Sequence, residues 1–219
     1  MQQPFLVELE PSRGWSEALI IIRGYRFENN FTWGRKSDWK SLLRDAGWKG
    51  SIHYLWWDST DHNRTNWVGV KVRAAITGRE YLSRLVAHLP DKSVSLIGYS
   101  LGAQVIYYGM QNWSSSTKPL NNTILLGGAI RRTKEWGNST SKLAGQLINV
   151  YNSSDPTLIV AYRTGEFLGR SSPCGLKPIK DFHPKATNIN ATSLVGKSHC
   201  ELNYLRTLKQ TVGQRLWGG

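Results

Sequence analysis

An α/β fold with a mostly parallel central sheet and helices on both faces is predicted by three observations. Short apolar runs rich in β-branched residues alternate along the chain with helix-period apolar stripes, and a glycine-flanked serine stands where one run passes into one stripe. Ala18-Leu-Ile-Ile-Ile22 is the first run, continuous enough for a strand covered on both faces, and it ends at Arg23-Gly24-Tyr25. Ser37 is then placed to cap a helix whose Trp39, Leu42, Leu43 and Ala46 share a face, with Gly47 as its stop. Ser51-Ile-His-Tyr-Leu-Trp-Trp57 reads as the second strand. Leu82, Leu85, Val86 and Leu89 stripe the next helix, which Pro90 ends. Ser93-Val-Ser-Leu-Ile97 is the third strand and runs into Gly98-Tyr-Ser100-Leu-Gly102-Ala103 and a helix reaching about Asn112. Thr123-Ile-Leu-Leu126 and Leu147-Ile-Asn-Val-Tyr151 are further strands. The segment 157–188, with Pro173, Gly175, Pro178 and Pro184, is expected to open as a short helix and then pass over the rim of the site. A last strand near 189–195 precedes a helix striped by Leu202, Leu205, Leu208, Val212 and Leu216.

With 219 residues the chain fits one domain, 1–219, large enough to bury a core without disulfides or metal. Its hydrophobic fraction of 40% and ten Trp exclude a disordered polymer. No leader of the secretory kind is visible near Met1 and no apolar run reaches the roughly 18 residues of a membrane span, so a soluble, cytoplasmic chain is the default expectation. Seven Asn-x-Ser/Thr sequons, at Asn30, Asn63, Asn112, Asn121, Asn138, Asn152 and Asn190, are read on that basis as composition. Cys174 and Cys200 are too few for a disulfide framework or a zinc cage, and no metal or cofactor is expected. The net charge of +13 attracts anionic surfaces. Its Lys and Arg are scattered, which argues against a specific nucleic-acid patch.

Gly98-x-Ser100-x-Gly102 between a strand and a helix is the nucleophile elbow of the α/β-hydrolase fold, in which only small neighbours let strand and helix approach around a strained serine. A serine hydroxyl needs an imidazole to take its proton, and the imidazole needs an acid to fix its tautomer. In this fold the chain order is serine, acid, histidine. Five acids follow Ser100, namely Glu135, Asp155, Glu166, Asp181 and Glu201. Asp155 directly follows a strand, where ligand sites of such sheets gather, although an aspartate before Pro156 is also an ordinary turn residue. His199 follows the last predicted strand and is the favoured base. His183, with Asp181 nearby, is the alternative, while His53, His62 and His88 precede the serine and read as structural or surface residues. Leu101, after the nucleophile, should offer one oxyanion N–H, and Tyr25 the other, with Gly24 either permitting close approach or serving as a plain turn glycine. Cys200 beside His199 reads as a packed or idle thiol.

The chain resembles the α/β-hydrolase family typified by transmembrane and coiled-coil domain-containing protein four, a group of lipase-like serine hydrolases. The resemblance lies in Leu96-Ile-Gly-Tyr-Ser-Leu-Gly-Ala103 with Val105-Ile-Tyr-Tyr108, Leu125-Leu-Gly-Gly-Ala129, Trp136, Gly145, Leu147-Ile-Asn-Val-Tyr-Asn152, Asp155, Tyr162-Arg163, Gly196 and His199. It implies Ser100, Asp155 and His199 as a triad, and a lipid or phospholipid ester as substrate. Members of that family often carry membrane-associated helices ahead of the elbow, whereas the stretch 58–79 here is short and polar. Acyl transfer, thioester hydrolysis and non-catalytic binding of an anionic surface are the competing readings. The charge and the Trp content admit two readings, peripheral contact with an anionic membrane, or Trp in the core with a basic surface that merely solvates the protein.

Overall fold

The computed structural model describes residues 2–25, 34–60, 67–114, 116–163, 171–181 and 183–218, without the side chains of 34–37, 162 and 163. Asn30, His62, Asn63 and Glu166, and the side chains of Ser37, Tyr162 and Arg163, lie outside the described residues. Seven strands form one sheet: β1 Phe5–Glu10, β2 Glu17–Ile22, β3 Ser51–Trp56, β4 Ser93–Tyr99, β5 Leu120–Leu126, β6 Leu147–Tyr151 and β7 Ala186–Asn190. Their order is β1-β3-β2-β4-β5-β6-β7, and only β1 runs antiparallel, against β3. All carboxyl ends from β2 to β7 therefore point the same way, and the crossovers gather there.

The helices are α1 Gly34–Asp45, α2 Trp67–Ile76, α3 Ser83–Ala87, α4 Gly102–Gln111, α5 Trp136–Ser141, α6 Pro156–Arg163, α7 Thr192–Val195 and α8 Glu201–Arg206. Alternation along β2 sends Ala18, Ile20 and Ile22 to one face and Leu19 and Ile21 to the other. The first set packs with Val70, Ala74 and Val86 of α2 and α3 and with Val105, Ile106 and Met110 of α4. The second meets Trp39 and Leu43 of α1 and Tyr204 and Leu205 of α8. Helices thus cover both faces, and the central strands β2 to β6 are buried along nearly their whole length for that reason. Six of the ten Trp (Trp39, Trp48, Trp56, Trp57, Trp136 and Trp217) are buried in the fold, so they are core residues and not an interfacial belt.

Several local expectations are corrected. Helix α1 begins at Gly34, which puts Ser37 inside it and not at its cap. The polar stretch 58–79 contains α2, which continues through a wide π-helical turn, Thr77–Leu82, into α3. That turn accommodates the crossing with α4, where a methyl group on Gly78 would lie 2.2 Å from the Val105 carbonyl oxygen. Residues 192–195 form a helical turn and not strand, because Asn190 Oδ1 accepts the Thr192 N–H at 3.0 Å and ends β7. The C-terminal stripe holds at Leu205, Leu208 and Val212, but a second π-helical segment, Lys209–Trp217, carries Trp217 inward in place of Leu216.

Candidate active site

Ser100 stands at the carboxyl end of β4 with φ +53°, alone among the described non-glycine residues in the left-handed region. Such a backbone costs an L-residue about 1 kcal/mol or more and persists only when its surroundings fix it. They do so here. Its N–H donates to the Leu126 carbonyl at 3.0 Å, and its carbonyl accepts from Ala103 N–H at 3.2 Å and Ala129 N–H at 2.9 Å. Gly102 allows the turn to close: a methyl group there would lie 2.0 Å from the Ile22 carbonyl oxygen.

The loop after β7 and α7 brings His199 over the serine, with Nε2 2.9 Å from Ser100 Oγ. On the other side of the ring, Nδ1 lies 2.6 Å from Asp155 Oδ2. Asp155 is fully buried at the end of the loop following β6, and its Oδ1 accepts the Leu158 N–H at 3.1 Å, capping α6. Both carboxylate oxygens being acceptors, Nδ1 carries the ring proton and Nε2 is left to accept from the serine hydroxyl. The fold thus joins Ser100, His199 and Asp155 in one hydrogen-bonded line. Leu101 is buried beside them, and its N–H has no hydrogen-bond partner among the described residues. Gly24 lies against the elbow, and a methyl group on it would stand 2.9 Å from that Leu101 nitrogen. Next to it Tyr25 packs edge-on against Trp67 at the start of α2, with centroids 5.4 Å apart.

His183 does not join the group. It precedes β7 at the amino end of the sheet, where its Nδ1 accepts the Lys185 N–H, and Asp181 is bonded to the Gly137 N–H. Segment 171–181 is pinned at the carboxyl ends of β5 and β6, Gly175 N–H donating to Gly128 and its carbonyl accepting from Asn152 N–H. Both cysteines are free thiols. Cys174 is buried, which pushes its thiol up to about 12, while Cys200 is exposed next to the imidazole. Among the described residues no cluster of three His, Cys, Asp and Glu side chains is gathered as metal ligands would be.

Residues that sequence reasoning missed support this line. Asn152 Nδ2 donates to the carbonyls of Gly196 at 2.7 Å and Ser198 at 3.2 Å, tying the histidine loop to the aspartate loop. Tyr99 donates its hydroxyl to the His199 carbonyl, and its ring lies 5.2 Å from the imidazole. Tyr204 O–H donates to Asp155 Oδ2 at 2.8 Å. Arg23 and Glu201 form a two-pronged ion pair at 2.7 Å with side chains 13% and 8% exposed. Burial opposes the Arg23 charge, but Glu201 more than offsets it and raises the guanidinium pKa. Asn152 lies three residues before Asp155, and Tyr204 five residues past His199. That adjacency was the only signal the sequence held for them.

This sheet and its helices are the α/β-hydrolase architecture. A Pyrococcus furiosus esterase aligns over 99% of this chain and 92% of its own, with TM-score 0.54 and 15% identity. A hydrolase from Thermoplasma acidophilum aligns over 99% and 93%, with TM-score 0.54 and 12% identity. At these identities the likeness is one of fold. The chain belongs to the family described as Protein of unknown function (DUF726), whose profile matches residues 63–214. An uncharacterized membrane protein of Caenorhabditis elegans is 32% identical over 146 residues, covering 64% of this chain and 23% of that protein. A transmembrane and coiled-coil domain-containing protein of Oryza sativa is 27% identical over 149 residues, covering 64% and 22%. The chain therefore corresponds to under a quarter of the length of these relatives. No helix among its described residues is long and apolar enough to cross a membrane.

Proposed function

We propose that the chain is a serine hydrolase that cleaves a carboxylic ester of a lipid or phospholipid through an acyl-enzyme on Ser100. The observation that carries this reading is the line Ser100 Oγ, His199 Nε2, His199 Nδ1, Asp155 Oδ2, built on a serine at φ +53°. As Oγ bonds to the ester carbonyl carbon, its proton passes to Nε2 and the carbonyl electron pair moves onto oxygen. The N–H groups of Leu101 and Tyr25 receive that oxyanion. Collapse expels the alkoxide, which takes the proton from Nε2 and leaves as alcohol. Water then repeats the sequence against the acyl-serine, releasing the acid and restoring the hydroxyl, while Asp155 stays ionised and steadies the imidazolium.

Lipid as the substrate class is supported by charge and by exposed apolar residues. Val68 and Val72 on α2, Val160 on α6 and Leu194 on α7 are each half or more exposed, on helices that begin on the side of the sheet where Ser100 stands. With a net charge of +13, such a surface suits peripheral contact with an anionic membrane, and relatives of the chain are named as membrane proteins. Acyl transfer and thioester hydrolysis would use the same residues, with a different acceptor or leaving group.

A fluorophosphonate probe tests the nucleophile. The folded chain is expected to be labelled and to hydrolyse esters, Ser100→Ala to do neither, and His199→Ala to lose about 10³-fold or more in rate. Undiminished turnover by Ser100→Ala would remove Ser100 as the nucleophile, and a folded chain inert to probe and esters alike would leave only a binding module. For the substrate class, hydrolysis should be faster on anionic than on neutral vesicles, with the gap closing as salt is raised.

A further inference from the structure

Asp155 Oδ2 accepts two hydrogen bonds at once, from His199 Nδ1 at 2.6 Å and from the Tyr204 hydroxyl at 2.8 Å. Tyr204 is fully buried in α8, and its ring occupies the space left by the missing side chain of Gly127, where a methyl group would lie 2.8 Å from the phenolic oxygen. The bond is therefore fixed from both ends. Among the described residues no hydrogen bond joins Tyr204 to Ser100; its ring stands edge-on to the His199 imidazole with centroids 6.5 Å apart, and its hydroxyl reaches the site through Asp155. Resting on the serine-hydrolase reading above, we propose that Tyr204 is a positioning residue that sets the basicity of His199 through Asp155.

The physical argument concerns how much negative charge the imidazole faces. A carboxylate stabilises an adjacent imidazolium, and each further donor on that carboxylate withdraws part of the stabilisation. The Tyr204 O–H shares the very oxygen on which His199 depends, so it withdraws part of the charge with which Asp155 stabilises an imidazolium. Burial, reinforced by the Asp155 charge, raises the Tyr204 pKa well above the ordinary phenol range, so the hydroxyl stays a donor throughout the working range. Other groups facing His199 are the Ser100 hydroxyl and the rings of Tyr99 and Tyr204, and Cys200 follows it in the chain. Behind Tyr99 stand Arg23 and Glu201, paired with each other. Asn152 faces the Tyr204 hydroxyl from the aspartate loop. Tyr204→Phe keeps every one of these groups and removes only the hydroxyl that Asp155 and Asn152 face.

The test is the pH dependence of fluorophosphonate inactivation for the full chain and for Tyr204→Phe, with melting curves recorded alongside. Loss of the hydroxyl leaves Asp155 less compensated, which stabilises the imidazolium. The acidic limb of the profile is expected to move up by about one pH unit, making the variant about tenfold slower on that limb and equal to the parent on the alkaline plateau. A purely structural role would instead lower the rate by one factor at every pH, and coincident limbs would overturn the proposal. Should Tyr204→Phe fail to fold, 3-fluorotyrosine at position 204 keeps every native atom but the replaced hydrogen and donates more strongly. The limb must then move down, and an unmoved limb is equally fatal. Failure of the underlying hydrolase reading looks different: the parent chain is not labelled, or His199→Ala labels as fast as the parent.

Discussion

A methyl group on Gly24 would lie 2.8 Å from the Cβ of Ser100, so the loop after β2 and the nucleophile elbow meet with no room for a side chain between them. The backbone at Gly24 is not in the left-handed region, and alanine there is refused by space, not by torsion. Gly24→Ala is expected to push the loop and the Tyr25 N–H away from Leu101, misplacing one of the two proposed oxyanion donors. Ester hydrolysis should fall about 10²- to 10³-fold while near-ultraviolet circular dichroism stays that of a packed protein. Turnover at the parent rate would remove the loop from the mechanism.

The same loop is anchored one residue earlier. Trp57 Nε1 donates to the Arg23 carbonyl at 3.0 Å, and the Arg23 guanidinium grips Glu201, two residues past His199. The pair thereby connects the loop after β2 to the segment that carries His199. Removing one partner leaves the other charge buried, and Glu201→Ala or Arg23→Ala should each cost about 3 kcal/mol or more in urea unfolding. Replacing both, as Arg23→Met with Glu201→Leu, should recover most of that stability, since an apolar pair of similar volume carries no desolvation penalty. A double variant no more stable than either single alanine variant would show that the pair contributes packing and not compensated charge.

The sheet was legible in the sequence because its inner strands are covered on both faces: Ala18-Leu-Ile-Ile-Ile22 is fully buried, and so short an uninterrupted apolar run suits a strand enclosed between two helical layers. Strand β1 was not, since it pairs on one side alone and its Phe5 is 44% exposed, which leaves only the weak alternation of an edge. Ser100 was legible from local spacing, the elbow being made of consecutive residues. His199 and Asp155 followed from chain order, and the fold brings His199 to the serine and Asp155 to His199 at hydrogen-bond distance. Tyr204, Asn152 and the Arg23–Glu201 pair were not legible, because what makes them matter is a partner 44 to 178 positions away. The π-helical turn Thr77–Leu82 was hidden for another reason, as the wider turn answers a close crossing with α4 that no helix-period pattern encodes.

His53 gives the fold a pH dependence that is separate from the site. It lies in β3 opposite Glu8 of β1, 3% exposed. Ser51 Oγ is 3.0 Å from His53 Nε2 and donates to Asp91 Oδ1 at 3.0 Å, so Nε2 carries the proton of the neutral ring. Burial lowers the His53 pKa below its ordinary 6.5, and the charges of Asp91 and Glu8 offset this only in part. A depressed histidine favours the neutral ring in the folded state, so its contribution is fully present above pH about 6.5 and is lost as pH falls through the folded pKa. The unfolded chain binds the extra proton in that window. Urea unfolding should therefore give lower stability at pH about 5.5 than at pH about 7.5, with the His53 share approaching a slope of about 1.4 kcal/mol per pH unit at its steepest. His53→Gln cannot take up that proton, and its loss of stability between the two pH values should be smaller than that of the parent chain. An equal loss in both would place the titrating group elsewhere, and a parent chain that gained stability on acidification would mean that Asp91, whose Oδ2 stands 4.0 Å from Nε2, outweighs burial.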